Sequence, residues 1–161
     1  MNLKIKNFPY KSVLIVCSVN TARSPMTEGY LKYIFKNSDL DVNVYSGGIS
    51  SNARDGMLIS LDAKLAMEEE GINLSDESLS MDLKRHSEYI KKADLILTLT
   101  NKHKEEVLNF VSENGTDIYT LKEFAGDFGD IDDPSMKGLV GFRIARDEIK
   151  NCIIKGFTKY K

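Results

Sequence analysis

The apolar run Val13-Leu14-Ile15-Val16 leads without interruption into Cys17. Continuous apolar residues, rather than alternating ones, mark a strand covered on both faces, as in a parallel sheet. The next segment is Ser18-Val19-Asn20-Thr21-Ala22-Arg23, followed by Ser24-Pro25 and an apolar-periodic stretch from Met26 to Phe35. Ser24 reads as a helix N-cap. Pro25 reads as the first helical residue, since it lacks the N–H that would be orphaned there. The chain is thereby committed to a strand, a six-residue loop and a helix, with loop amides gathered at a helix N terminus. Such a place is a ready anion cradle.

A lone cysteine at a strand end is usually a small core residue. Here it stands six positions before Arg23, in a Cys-x5-Arg spacing. Helix N termini and nearby cations favour the thiolate, which is the nucleophilic form of cysteine. Loop N–H groups and the Ser24 hydroxyl can donate to the sulfur. Arg23 can grip two oxygens of a phosphate-like dianion with its planar fork, which lysine cannot do. A Walker-type loop is excluded, because no Gly-x4-Gly-Lys-Ser/Thr occurs. The pattern points to phosphoryl transfer through a phosphocysteine.

A second segment fits that chemistry. Asp127-Phe128-Gly129-Asp130-Ile131-Asp132-Asp133-Pro134 is acidic and turn-rich. A phenol leaves poorly as an anion, and a positioned carboxylic acid typically contributes about 10²–10⁴-fold. Asp133 is the candidate acid, and the same group can later act as base on water. The proline after it keeps Asp133 out of helical backbone and stiffens the loop. Standing alone, Asp-Pro would read as a solvated surface loop.

At these residues the chain resembles the low-molecular-weight protein tyrosine phosphatase family, including its bacterial protein-arginine phosphatase branch. The family pattern Cys-x-Gly-Asn-x-Cys-Arg-Ser-Pro corresponds to Cys17 through Pro25, and its Asp-Pro acid loop to Asp133-Pro134. Further matching stretches are Tyr45-Ser46-Gly47-Gly48, Gly71-Ile72-Asn73-Leu74-Ser75 and Ala93 to Thr100, so the likeness runs from about Ser12 to the end. The resemblance implies hydrolysis of protein phosphotyrosine with Cys17 as nucleophile, Arg23 on the phosphoryl oxygens and Asp133 as acid then base. Ser18, Val19, Asn20, Thr21, Ala22 and Ser24 would bind substrate. Ser24 would stabilise the thiolate, and Asn20 with Ser46 would hold the loop's shape. A phosphorylated protein or small phosphomonoester would be the partner, with phosphate and other oxyanions as inhibitors. No cofactor or metal is implied.

The departures bear on specificity. Val19 replaces the usual glycine, and a positive φ there would strain a β-branched residue by about 1–3 kcal/mol. Ala22 replaces a second loop cysteine, so a protective loop disulfide is ruled out. Asp76 stands near a position where some members place a histidine that supports the asparagine. Ser135-Met136, and Ile49 to Asn52, offer no aromatic wall for a tyrosine ring. Thr21 matches the threonine of the arginine-directed branch, and phosphoarginine is therefore an alternative substrate. Arsenate reduction by a cysteine relay is disfavoured, because no cysteine lies between Cys17 and Cys152. A non-catalytic phosphate-binding relative remains a further alternative, although mere binding needs neither nucleophile nor acid.

At 161 residues, with 42% hydrophobic and 29% charged residues, the chain reads as one domain, residues 1–161. Residues 1–11 read as a short basic N-terminal extension without the apolar region of a secretory signal. A net charge of −2 argues against a nucleic-acid footprint. No apolar stretch approaches membrane-spanning length. Two cysteines provide no disulfide framework, which suits a reducing cytoplasm. Cys152 falls in an apolar run and reads as core. His86 and His103 read as surface residues, and Lys155 to Lys161 as a frayed basic tail. No cluster of ligands suggests a metal.

Hydrophobic patterning places strands at about Ser12–Cys17, Val42–Ser46, Leu95–Thr100 and Asp117–Leu121. Helices are expected from the Ser24 region to about Asn37, then at about Ile59–Glu70, Asp82–Lys92, Lys102–Ser112 and Gly138–Lys155. Alternation of this kind implies a three-layer α/β sandwich, with a four-stranded parallel sheet flanked by helices. Sites in such folds lie at the C-terminal ends of the strands.

Overall fold

The computed structural model describes residues 3–111 and 115–161. Its strands are β1 (Ser12–Cys17), β2 (Asn43–Gly48), β3 (Leu95–Thr98) and β4 (Asp117–Thr120). The helices are α1 (Arg23–Asn37), α2 (Leu61–Glu68), α3 (Glu88–Lys92), α4 (Asn101–Leu108), α5 (Leu121–Phe124) and α6 (Gly138–Phe157). All strand pairs are parallel, in the order β2-β1-β3-β4. Among the described residues, no helix is long and apolar enough to cross a membrane.

The apolar run of β1 explains the layering. Val13, Ile15 and Cys17 join a core with Met26, Tyr30 and Ile34 of α1 and Ile149 and Ile153 of α6. Leu14 and Val16 join a second core with Ile90 of α3 and Val107 of α4. Successive side chains of a strand point to opposite faces, so β1 needs apolar residues at every position. Helices thus cover both faces, and the three-layer α/β sandwich is the observed fold.

Several element ends differ from the expectation. Only Glu88–Lys92 of the third expected helix is helical; Asp82 to Arg85 form a turn, with Arg85 N–H donating to the Asp82 carbonyl at 3.1 Å. The turn is held by long-range contacts, since Asp82 N–H donates to Asp55 and Leu83 N–H to the Gly48 carbonyl. The fourth expected helix begins one residue earlier and ends at Leu108; its expected end, Ser112, lies outside the described residues. Helix α5 was not anticipated. It is a single turn started by a capping box in which Thr120 and Glu123 exchange bonds.

Both terminal segments of the described residues are tied in. Leu3, Ile5 and Phe8 are buried in the larger core. The C-terminal segment is not frayed: α6 passes into a 3-10 turn at Thr158–Tyr160, and the Tyr160 carbonyl accepts from Lys6 N–H at 2.6 Å. Phe8 packs edge-on against Phe157 and Tyr160. Aromatic contacts between the ends supply what lysine-rich composition concealed. Cys152 is buried on α6.

The order β2-β1-β3 makes β1 and β3 neighbours whose connections leave in opposite directions. A crevice opens outside the strand ends at such a point. At the end of β2, Gly48 pairs with Cys17, and a Cβ on it would come within 2.6 Å of the Ser18 carbonyl oxygen and 2.9 Å of Val19 C. Only a glycine lets the strand pass this close to the loop. Gly48→Ala is expected to lower stability by about 1–3 kcal/mol, as overpacking against backbone does. Thermal unfolding reads this directly, and an unshifted midpoint would show that the loop yields freely.

Candidate active site

The loop after β1 curls around the Cys17 sulfur. Asn20 N–H donates to Sγ at 3.3 Å, and the Ser24 hydroxyl lies 2.9 Å from it. Asn20 adopts a left-handed backbone with φ of 64°, which asparagine tolerates better than most residues. Its side chain is fully engaged. Nδ2 donates to Ser24 Oγ at 2.7 Å and to Ser46 Oγ at 2.9 Å, while Oδ1 accepts from Met81 N–H at 2.9 Å. Ser46 in turn donates to Glu28 at 2.5 Å. A chain of hydrogen bonds therefore links Glu28 to the sulfur through Ser46, Asn20 and Ser24.

Helix α1 begins at Arg23, with Ala22 at the N-cap position and no side-chain cap. The expectation that Ser24 caps the helix is thus corrected. Its hydroxyl is taken by Cys17 and Asn20, which are buried with it. Val19 has no positive φ, because the left-handed turn falls on Asn20. The strain anticipated at Val19 does not arise. Asp76 is exposed and pairs with Lys64 at 3.0 Å, while the Asn20 carboxamide is held by Ser24, Ser46 and Met81 instead. Thr21 and Ser18 are half-buried, and the Thr21 carbonyl accepts from Ser60 N–H.

Arg23 is 5% exposed, so its guanidinium is held rather than solvated. Nη1 donates to the Ile131 carbonyl at 2.8 Å, and Nη2 lies 3.5 Å from Ser18 Oγ and 3.9 Å from Asp133 Oδ2. With Nη1 committed, the Nε–Nη2 edge is the one suited to two oxygens of a dianion. Ile131 is fully buried, and its N–H donates to the Leu99 carbonyl at 2.9 Å just beyond β3. Asp130 accepts from Asn101 N–H at the start of α4. These contacts bring the acidic loop over the mouth, although it is 108 residues from Arg23 at Ile131. Asp133 is over half exposed and accepts from Ser135 N–H at 3.0 Å. Burial pushes its carboxyl up, but donation from Ser135 and the charges of Arg23 and Lys137 outweigh this and hold it below the usual carboxylate range. Asp132 is exposed.

The Cys17 loop, a held Arg23 and the Asp133 loop now share one mouth. A family model described as low molecular weight phosphotyrosine protein phosphatase matches residues 12–160. The chain belongs to this family. It is 36% identical over 147 residues to a protein-arginine-phosphatase of Geobacillus stearothermophilus, covering 90% of this chain and 92% of the relative. It is 34% identical over 122 residues to the low molecular weight protein-tyrosine-phosphatase PtpB of Staphylococcus haemolyticus, covering 76% and 80%. A crystal structure of a YwlE mutant from Bacillus subtilis matches with a TM-score of 0.82 at 30% identity, covering 92% of this chain and 97% of that one. The protein is accordingly a phosphatase of this family.

The phosphatase also carries a residue at the mouth that the sequence reading put on the surface. His103 is 2% exposed, and its Nε2 lies 2.8 Å from Ser18 Oγ. It is the third residue of α4, directly beyond the C-terminal end of β3. Thr100, which caps the helix by accepting from His103 N–H, was the available signal. A polar helix composition hid the fact that this first turn points at the loop. A cavity of about 330 Å3 lies on the other side, lined by Asn20, Glu28, Ser46, Tyr33 and Leu74, and not by Cys17 or Arg23.

Burial and then the charge of Arg23 push the His103 imidazole down to about 4. The unfolded chain takes up a proton near the ordinary value of 6.5, whereas the folded chain does so only near 4. Acidification through that window therefore favours unfolding, by up to roughly 3 kcal/mol. Denaturant titrations of the wild type and His103→Gln between pH 7 and pH 4 should show a steeper loss in the wild type. Parallel losses would place the acid sensitivity elsewhere.

Proposed function

We propose that this phosphatase hydrolyses phosphorylated protein side chains through a phosphocysteine on Cys17. The observation that carries the reading is the convergence on one sulfur of the Asn20 amide and the Ser24 hydroxyl, beside a guanidinium held by Ile131. Donors in this arrangement stabilise a thiolate and the charge on a transferring phosphoryl group. The dianion enters the loop and its oxygens take the amides and the Nε–Nη2 edge of Arg23. The sulfur attacks phosphorus in line, the bond to the leaving group breaks, and Asp133 gives that group a proton. Water, deprotonated by Asp133, then attacks the phosphocysteine and releases phosphate.

Asp133 is ionised at neutral pH in the free protein by the contacts described above. Entry of a dianion reverses this balance. Arg23 spends its charge on the phosphoryl oxygens, and the dianion's own charge faces the carboxylate. Both effects raise the carboxyl and favour its acid form when it is needed.

Phosphotyrosine is the first substrate reading, supported by family membership. Phosphoarginine is a second, supported by Thr21 at the loop and by Ser135 and Met136 where an aromatic wall would stand; Met136 is fully exposed. The relative named as a protein-arginine-phosphatase points the same way. Asp130, Asp132 and Asp133 are exposed carboxylates of the same loop, a charge suited to a guanidinium.

Cys17→Ser should abolish turnover of para-nitrophenyl phosphate, by at least about 10³-fold, and still bind vanadate; turnover near the wild-type rate would remove Cys17 as nucleophile. Asp133→Ala should slow substrates with poor leaving groups by about 10²–10⁴-fold and activated aryl phosphates far less. Equal losses on both would transfer the acid role to another carboxylate. Phosphotyrosine and phosphoarginine peptides compared side by side decide the substrate. Thr21→Ile should reduce the phosphoarginine rate relative to phosphotyrosine if the guanidinium reading holds, and an unchanged ratio would discard it.

A further inference from the structure

The Ser18–His103 contact has no part in the chemistry above, although it touches both the nucleophile's neighbour and the arginine. Ser18 Oγ lies 2.8 Å from His103 Nε2 and 3.5 Å from Arg23 Nη2. Among the described residues, His103 Nδ1 is buried and has no hydrogen-bond partner. A neutral imidazole carries one N–H. Placed on Nδ1, that hydrogen would be a buried donor without an acceptor, which folded proteins almost never tolerate. Placed on Nε2, it is satisfied by Ser18, and only a lone pair is left bare. Burial and the Arg23 charge keep the ring neutral at physiological pH, so this choice between tautomers is the relevant one.

The consequence falls on Ser18. A serine hydroxyl has one hydrogen and two lone pairs. His103 Nε2–H donates to one lone pair, and Arg23 Nη2 approaches the other. The Ser18 hydrogen is then left for a third partner. The same Nη2 arm faces Asp133 across the mouth, and Ser18 directly follows Cys17. A phosphoryl group held between Cys17 and Arg23 would offer that hydrogen an acceptor.

We propose that His103 is a positioning residue: by donating from Nε2 to Ser18, it turns the Ser18 hydroxyl into a hydrogen-bond donor to the transferring phosphoryl group and braces the Nη2 arm of Arg23. The proposal rests on the reading of Cys17 as nucleophile. It assigns Ser18 a direct contact with the reacting group and gives His103 an effect only through Ser18. The proposed contact is to the phosphoryl group, so its effect is expected with every phosphoryl donor.

The test is a double-mutant cycle on para-nitrophenyl phosphate, with Ser18→Ala, His103→Leu, His103→Gln and the double variant Ser18→Ala/His103→Leu. Loss of one transition-state hydrogen bond predicts that Ser18→Ala and His103→Leu each lower kcat about tenfold, with KM nearly unchanged. The double variant should be no slower than either single one. Glutamine can place an amide N–H near the position of Nε2, and His103→Gln should recover most of the rate. Nitrogen NMR of the wild type, which has two histidines to assign, should show the Nε2–H tautomer at His103. Losses that multiply in the double variant, a change in KM alone, a glutamine variant as slow as leucine, or an Nδ1–H tautomer would each overturn the proposal. If His103→Leu does not fold, an unchanged kcat in Ser18→Ala is sufficient to overturn it. A wild type without turnover, or turnover surviving Cys17→Ser, would defeat the underlying phosphocysteine reading as well. Wild-type turnover that depends on Cys17 while Ser18→Ala keeps its rate would defeat this inference alone.

Discussion

Asn20 is the point on which the site turns. A six-residue loop that must direct its amides inward has to reverse sharply, and the reversal is made by one residue with φ of 64°. The unfavourable backbone is compensated by its carboxamide, which reaches Ser24, Ser46 and the Met81 amide. Those partners come from α1, from β2 and from the segment before α3. The loop is therefore a junction of three chain regions, and its curvature is set by hydrogen bonds that water could not supply with the same geometry. Gly48 completes the arrangement by leaving room for the Ser18–Val19 backbone.

A second junction lies at Arg23. Its Nη1 arm is held by the Ile131 carbonyl and its Nη2 arm lies near Ser18 and Asp133. Ile131 in turn hangs from Leu99 beyond β3. The Cys17 loop and the Asp133 loop are thus connected through one side chain and one strand end. A buried cation is stable only when its donors are satisfied, and the Ile131 carbonyl does part of that here. Positioning of the Asp133 loop and retention of the arginine are consequences of the same contact.

The remainder of the molecule acts to keep these strand ends in place. Helix α6 covers the larger core, and its Arg146 donates to the Ala66 carbonyl and to Glu69 of the α2 end. Arg143 adds a two-pronged contact to the same carboxylate, and donation from Arg143 and then Arg146 holds Glu69 down at about 2. Aromatic packing of Phe8 with Phe157 and Tyr160 closes the far end. Rigid layers behind a strained loop are what allow a short segment to keep an improbable backbone.

The residues themselves determined the strand–loop–helix unit, the identity of Cys17, Arg23 and Asp133 as candidates, and the alternation that yields a parallel sheet. These are properties of contiguous segments, in which apolar period, glycine, proline and loop spacing act locally. Only the tertiary structure decided that Ser24 serves the sulfur instead of capping α1, that Asp82 opens a turn, and that His103 is buried against Ser18. It also decided that Arg23 is anchored by Ile131. Each of these outcomes depends on partners far away in the chain, 85 residues apart for Ser18 and His103 and 108 for Arg23 and Ile131. Local pattern carries no record of such distances, because burial and pairing at a strand end are set by which other ends the sheet order brings beside it.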